Sequence, residues 1–175
     1  YNNSYIKNFN NISLSETEPE SEPEPVREIN TLDNYLTLNN VILREGHTGN
    51  VPKETQYIKN IIKNNKDLKN IMEIGFHAGH SADTFLNENL SINLTSFDLG
   101  AEKCVNFGKK WIDITYPNRH ILIKGNSVNT LPKYIEANPD IKFDLIFIDG
   151  SHTYDDAYSD IKNCKLLSHK KTIVL

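Results

Sequence analysis

The sequence predicts an α/β domain, a doubly wound parallel sheet with helices on both faces. Two observations carry that prediction. From Ile71 onward, five short runs rich in β-branched and aromatic residues alternate with segments of helical length. Strands joined by helices pair in parallel through right-handed crossovers. The second observation is where the turn chemistry falls. Gly75 and Gly79 follow the first run, and Asp98, Asn126 and Asp149 follow the next three. These are the carboxyl ends, beyond which such sheets bind their ligands.

The elements follow in chain order. Residues 1–30 divide into an Asn-rich start and the acidic, proline-punctuated stretch Glu16 to Pro25. Few side chains there can repay the entropy of ordering, so this part is expected to be a disordered tail or linker, with residues 31–175 forming the folded domain. An acidic interaction segment is the alternative reading of the same stretch. Leu32, Tyr35, Leu36, Leu38 and Val41 predict a short helix packed on the main domain. Asn50 and Pro52 signal the start of a second helix, with Tyr57, Ile58, Ile61 and Ile62 on one side and Lys63, Lys66 and Lys69 near its end.

The alternating part then reads as strand 71–74, helix 81–90, strand 94–98, helix 101–114 and strand 120–124. It continues as helix 131–137, strand 143–148, helix 154–167 and strand 172–175. The last run stops inside an apolar strand. The domain is therefore expected to be truncated after the fifth strand, with more sequence beyond Leu175 in the parent protein. An uncovered strand edge is a template for pairing, so either a homodimer or the missing segment should cover it.

Composition narrows the function classes. A chain of 175 residues with 38% hydrophobic and 24% charged residues suits one soluble domain, and no run approaches the ~20 apolar residues of a membrane span. The net charge of −4 argues against a nucleic-acid surface, which needs clustered Lys and Arg. Cys104 and Cys164 match no zinc or disulfide framework and read as reduced thiols of a cytoplasmic protein.

The motifs lie at the strand ends. The first is Glu73-Ile74-Gly75-Phe76-His77-Ala78-Gly79-His80-Ser81, whose glycines bend the chain and let backbone N–H groups approach a ligand at a helix N-terminus. His77 stands where the dinucleotide fingerprint G-x-G-x-x-G requires glycine, which disfavours a nicotinamide dehydrogenase. The segment resembles motif I of class I S-adenosylmethionine-dependent methyltransferases, in the form used by small-molecule and sugar O-methyltransferases.

That resemblance extends to Asp98 in Thr95-Ser96-Phe97-Asp98-Leu99-Gly100, to Gly125-Asn126-Ser127, and to Phe143-Asp144-Leu145-Ile146-Phe147-Ile148-Asp149-Gly150-Ser151-His152-Thr153-Tyr154. It covers roughly Glu54 to Leu175 and implies a Rossmann-like fold with S-adenosylmethionine as cofactor.

The resemblance also implies roles. Glu73, Gly75, His77, Gly79, Ser81, Asp98, Asn126, Ser127 and Asp149 would bind the donor, with Asp98 accepting from both ribose hydroxyls and Asn126 and Ser127 meeting adenine. The family has Asp where this chain has Asn126, so the polarity of that contact is open. In metal-dependent relatives the residue matching Asp149 ligates Mg2+, with further acidic ligands expected beyond Leu175.

His152 and Asp149 are the candidate catalytic residues. An imidazole titrating near neutrality can take the proton of an acceptor hydroxyl. The alternative is a His152 that orders its loop through a backbone carbonyl. His77 is expected near the donor, His80 at a helix start, Asp144 at the far side of the sheet, and Tyr154 packed on the sheet or gating the pocket.

The implied function is methyl transfer to a hydroxyl of a small molecule or sugar. Two other readings stay open: a non-catalytic donor-binding or assembly module, and a metal-dependent hydroxylase on the same sheet, for which only His152 and Asp149 are suitably placed.

Overall fold

The computed structural model describes residues 30–43 and 51–175. The expected tail over residues 1–29 and the start signal at Asn50 lie outside the described residues. In chain order the elements are α1 (Leu32–Leu38), α2 (Pro52–Asn64), β1 (Asn70–Ile74), α3 (His80–Glu88), β2 (Asn93–Asp98), α4 (Lys103–Thr115), β3 (His120–Lys124), α5 (Ser127–Ala137), β4 (Phe143–Ile148), α6 (Tyr154–Leu166) and β5 (Ser168–Val174).

All strand pairs are parallel and the sheet runs β3-β2-β1-β4-β5. The winding reverses between β1 and β4. A crevice therefore opens at the carboxyl ends of those two strands.

Side-chain alternation divides most strand residues between two cores, with Phe143 departing from it at the irregularity between β4 and β5. Ile71, Leu94, Leu145 and Phe147 face α1 to α4, where Ile58, Ile62, Phe85 and Ile112 are also buried. Met72, Ile74, Phe97, Phe143 and Ile146 face α5 and α6, against Leu131, Cys164 and Leu167. Burial on both faces makes the strands near-continuous apolar runs.

Alone, the seven residues of α1 would be too few for a stable helix. Here the Thr31 hydroxyl caps it by accepting from the Asn34 N–H, and Leu32 and Leu36 are buried. Each of those leucines contributes on the order of 2 kcal/mol by leaving water. Tyr35 packs on the rings of Trp111 and Phe107, fixing α1 against α4. The packed helix expected there is thus present.

Two elements begin earlier than expected. The start of α5 is Ser127, not Leu131, because Asn126 is its N-cap and accepts from the Val128 N–H. Pro132 sits inside this helix. The last strand begins at Ser168, and its register slips between the partners of Phe143 and Leu145. His169 and Thr172 loop out there, with the His169 ring against Asp144 and the Thr172 hydroxyl donating to the Phe143 carbonyl. This polar bulge hid the first half of β5 from its apolar pattern.

Candidate functional site

The turn after β1 shapes the site. Gly75 has φ +98°, and a Cβ there would lie 2.0 Å from the Asp149 carbonyl oxygen. The Gly75 N–H donates to the Phe97 carbonyl and the Asp149 N–H to the Ile74 carbonyl, each at 2.8 Å. Only glycine lets the ends of β1, β2 and β4 close on one another this tightly. Gly79 (φ +89°) turns the chain into α3 with its Cα against the Phe76 ring, and it does not face the cleft.

Glu73 is placed differently from the expected donor contact. Its side chain is fully buried on the α1 to α4 side and does not line the cleft. Its carboxylate accepts from the hydroxyls of Ser81 and Ser96, both at 2.6 Å. The Ser96 oxygen lies 2.7 Å from His120 Nε2.

This network ties β1, α3, β2 and β3 together beneath the glycine turn, with Ser81 spent on Glu73 at the cleft floor. Burial raises the Glu73 pKa to about 7; the two serine hydroxyls oppose the shift, and Asp98 and Asp149 add to it. Burial pushes His120 down to about 4, so its ring is neutral near pH 7.

Asp98 ends β2 at the other wall. One carboxylate oxygen accepts from the Phe76 and His77 N–H groups at 3.0 and 2.8 Å, and the other from the Gly100 N–H at 2.7 Å. A carboxylate offers about four acceptor positions, and these bonds fill three of them. One position is left for a ribose hydroxyl, where the resemblance implied two. Asn126 spends its oxygen on capping α5, which leaves its NH2 as the group it can offer a ligand.

Across the cleft, Asp149 and His152 follow β4. Burial raises the Asp149 carboxyl above its ordinary value even though solvent reaches it at the mouth, and the nearby His152 partly offsets the rise. His152 is exposed at the rim. Tyr154 neither packs on the sheet nor lines the cleft. It is 81% exposed and stacks on Tyr158 one helical turn on.

Asp144 lies at the opposite end of the sheet, as expected. It accepts from the Lys69 and Asn70 N–H groups. Burial works against its ionisation, but these bonds and His169 prevail and hold its carboxyl below the usual range.

The structure thus gathers Gly75, His77, Ser81, Asp98, Asn126, Ser127, Asp149 and His152 around one cleft of about 470 Å3. Sequence reasoning missed Glu102, Ser151 and Asp156 on its walls. It also missed Asp33, whose carboxylate lies 3.0 Å from His80 Nε2 and ties α1 to the start of α3. No local pattern in the chain announces that pairing. The Ser96 partnership was readable in principle, since parallel pairing sets Glu73 opposite Ser96 on one face.

Asp149 belongs to no cluster of three His, Cys, Asp or Glu groups among the described residues. Mg2+ wants about six oxygen ligands in octahedral geometry, which Asp149 alone does not supply. The same shortage bears on an iron site built on His152 and Asp149. Among the described residues no helix is long and apolar enough to cross a membrane.

A winding reversal, a glycine turn and an acidic second-strand end mark the ligand crevice of a doubly wound sheet. The Methyltransferase domain family matches residues 72–175, and the chain belongs to that family. Among solved structures, the O-methyltransferase from Bacillus cereus in complex with SAH matches at 21% identity and TM-score 0.62, over 79% of this chain and 61% of that one. The SAH-bound methyltransferase PaMTH1 from Podospora anserina matches at 19% and 0.62, over 82% and 59%. A TDP-rhamnose 3'-O-methyltransferase of calicheamicin biosynthesis matches at 18% and 0.61, over 84% and 69%.

At these identities the likeness is one of fold. The chain spans 60% to 63% of the length of three of the solved structures it matches. No curated protein matches it significantly.

Proposed function

We propose that this domain binds S-adenosylmethionine and serves methyl transfer to a hydroxyl of a small molecule or sugar. The observation that carries the reading is the convergence of four strand-end motifs on one cleft of about 470 Å3, a size suited to a small molecule. The donor, when bound, supplies a methyl group on a positively charged sulfur. Asp98 accepts a ribose hydroxyl at its remaining lone pair, and the Asn126 NH2 donates to a ring nitrogen of adenine. Gly75 lets the ends of β1 and β4 close at the cleft, and Glu73 holds the floor rigid through Ser81.

His152 takes the proton of the acceptor hydroxyl as the new C–O bond forms and the S–C bond breaks. The proton then passes to solvent from the exposed ring. Asp149 follows β4 beside it on the same wall of the cleft. The sugar acceptor class is supported by likeness to the TDP-rhamnose enzyme.

We further read the protein as cytoplasmic, on its two free and buried cysteines, and its residues 31–175 as one domain. The open edge of β5 is a candidate homodimer contact. A concentration-independent monomer in sedimentation would remove that contact.

The direct test of the activity is conversion of S-adenosylmethionine to S-adenosylhomocysteine with a panel of sugar nucleotides and phenols. Acceptor-dependent turnover is the expected result. Donor binding without turnover on any acceptor would favour a non-catalytic module instead.

A further inference from the structure

One group of side chains on the cleft wall joins His77, expected near the donor, to two residues that the methyl-transfer reading does not use. His77 Nε2 lies 3.8 Å from a Glu102 carboxylate oxygen, and the Cys104 sulfur lies 3.8 Å from the same oxygen. One ligand-capable atom from each residue lies within 4.8 Å of the other two. Three features of this cluster are unexplained by packing. Both His77 ring nitrogens are buried without a hydrogen-bond partner. His77 holds a left-handed backbone, φ +47°, which is uncommon for a residue with a side chain. Glu102 occupies the N-cap of α4, yet its side chain caps nothing.

We propose that His77, Glu102 and Cys104 form a binding site for a zinc-like dication on the wall of the cleft. Tetrahedral Zn2+ with nitrogen, oxygen and sulfur ligands sets those atoms about 3.3–3.6 Å apart. Two observed separations come within a few tenths of that range, and the third closes by a side-chain rotation on the order of 1 Å. A mixed set with a thiolate selects Zn2+ or a similar borderline metal over Mg2+ or Ca2+. Three protein ligands leave a fourth position, which faces the cleft because His77 and Glu102 line it.

The backbone fixes the cluster before any metal arrives. Gly108 of α4 presses against the Ala78 carbonyl, so the His77 turn and the first turn of α4 are locked together. Lys103, next to Glu102, lies over the Phe107 ring. The Glu102 carboxylate beside the Cys104 sulfur would attract a dication. Binding breaks the S–H bond, sends one proton to solvent and forms a metal–sulfur bond, with no change of oxidation state.

The site shares the cleft with the donor reading, but metal alone tests it. The chain, reduced with a non-chelating phosphine, is titrated with Co2+ and then with Zn2+. The expected result is one equivalent of Co2+ giving a thiolate-to-cobalt charge-transfer band in the near ultraviolet, which Zn2+ abolishes. The band should vanish in Cys104→Ser and persist in Cys164→Ser. The variants Glu102→Gln and His77→Ala, each checked for native circular dichroism, should weaken binding at least tenfold. No band at millimolar Co2+, a band retained in Cys104→Ser, or unchanged affinity in both Glu102→Gln and His77→Ala would overturn the site.

Discussion

Glu73 and Asp98 show how a residue type can be legible while its partners are not. Both carboxylates stand out at strand ends in the sequence, and both were expected to meet the donor. Asp98 does face the cleft, but most of its acceptor capacity already holds the glycine turn. Glu73 points below the floor, because its side of β1 is set by alternation and Ser81 and Ser96 meet it there.

The Glu73 placement has a pH signature. Folded Glu73 keeps its proton to about pH 7 against an ordinary 4.5, so stability falls as pH rises through that window. His120, lowered from 6.5 to about 4, acts oppositely, and its share of stability is gained as pH rises between those values. Above about pH 6.5, Glu73 is the one of these two that still contributes. The urea midpoint should therefore decline from pH 6.5 to 8, and Glu73→Gln should flatten the decline. An undiminished decline in that variant would show that another group titrates.

For His152, replacement by Gln should cut turnover by about 10²- to 10⁴-fold, the range of a lost general base, and leave donor affinity within about twofold. Unchanged turnover would return His152 to the role of ordering its loop.

Among elements, the βα alternation was legible because strands buried on both faces read as apolar runs and each turn carries its own chemistry. Helix α5 was cut short in the sequence reading, since Asn126-Ser127 was taken only as a ligand contact while it also starts the helix. Strand β5 lost its first half to the polar bulge at His169.

Helix α4 offers a sharp test of packing against propensity. Alanine exceeds glycine in helix propensity by about 1 kcal/mol, which alone would make Gly108→Ala stabilising. A Cβ at Gly108 would sit 2.2 Å from the Ala78 carbonyl oxygen, a backbone atom that cannot swing aside. Overpacking of this kind costs about 1–3 kcal/mol, so the clash should win and the urea midpoint should fall. A rise in the midpoint would mean that α4 does not press on the turn as described.

At the scale of the whole molecule, what was legible was the parallel, doubly wound sheet and the end of it where ligands bind. Connection rules fix both once the alternation is seen. The tie between α1 and the start of α3 was not legible. It depends on Asp33 reaching His80 across 47 residues, a polar pairing that leaves no periodic trace. The cluster of His77, Glu102 and Cys104 was hidden for the same reason, because a fold and not a spacing brings it together.

The central claim is that the converged strand ends form a donor site. Calorimetric titration of the chain with S-adenosylmethionine and S-adenosylhomocysteine tests it most directly, with Asp98→Ala, checked for native circular dichroism, alongside. The account predicts saturable one-to-one binding of both ligands by the unsubstituted chain and at least a tenfold loss in the variant. No binding by the unsubstituted chain, or equal binding by folded Asp98→Ala, would contradict it.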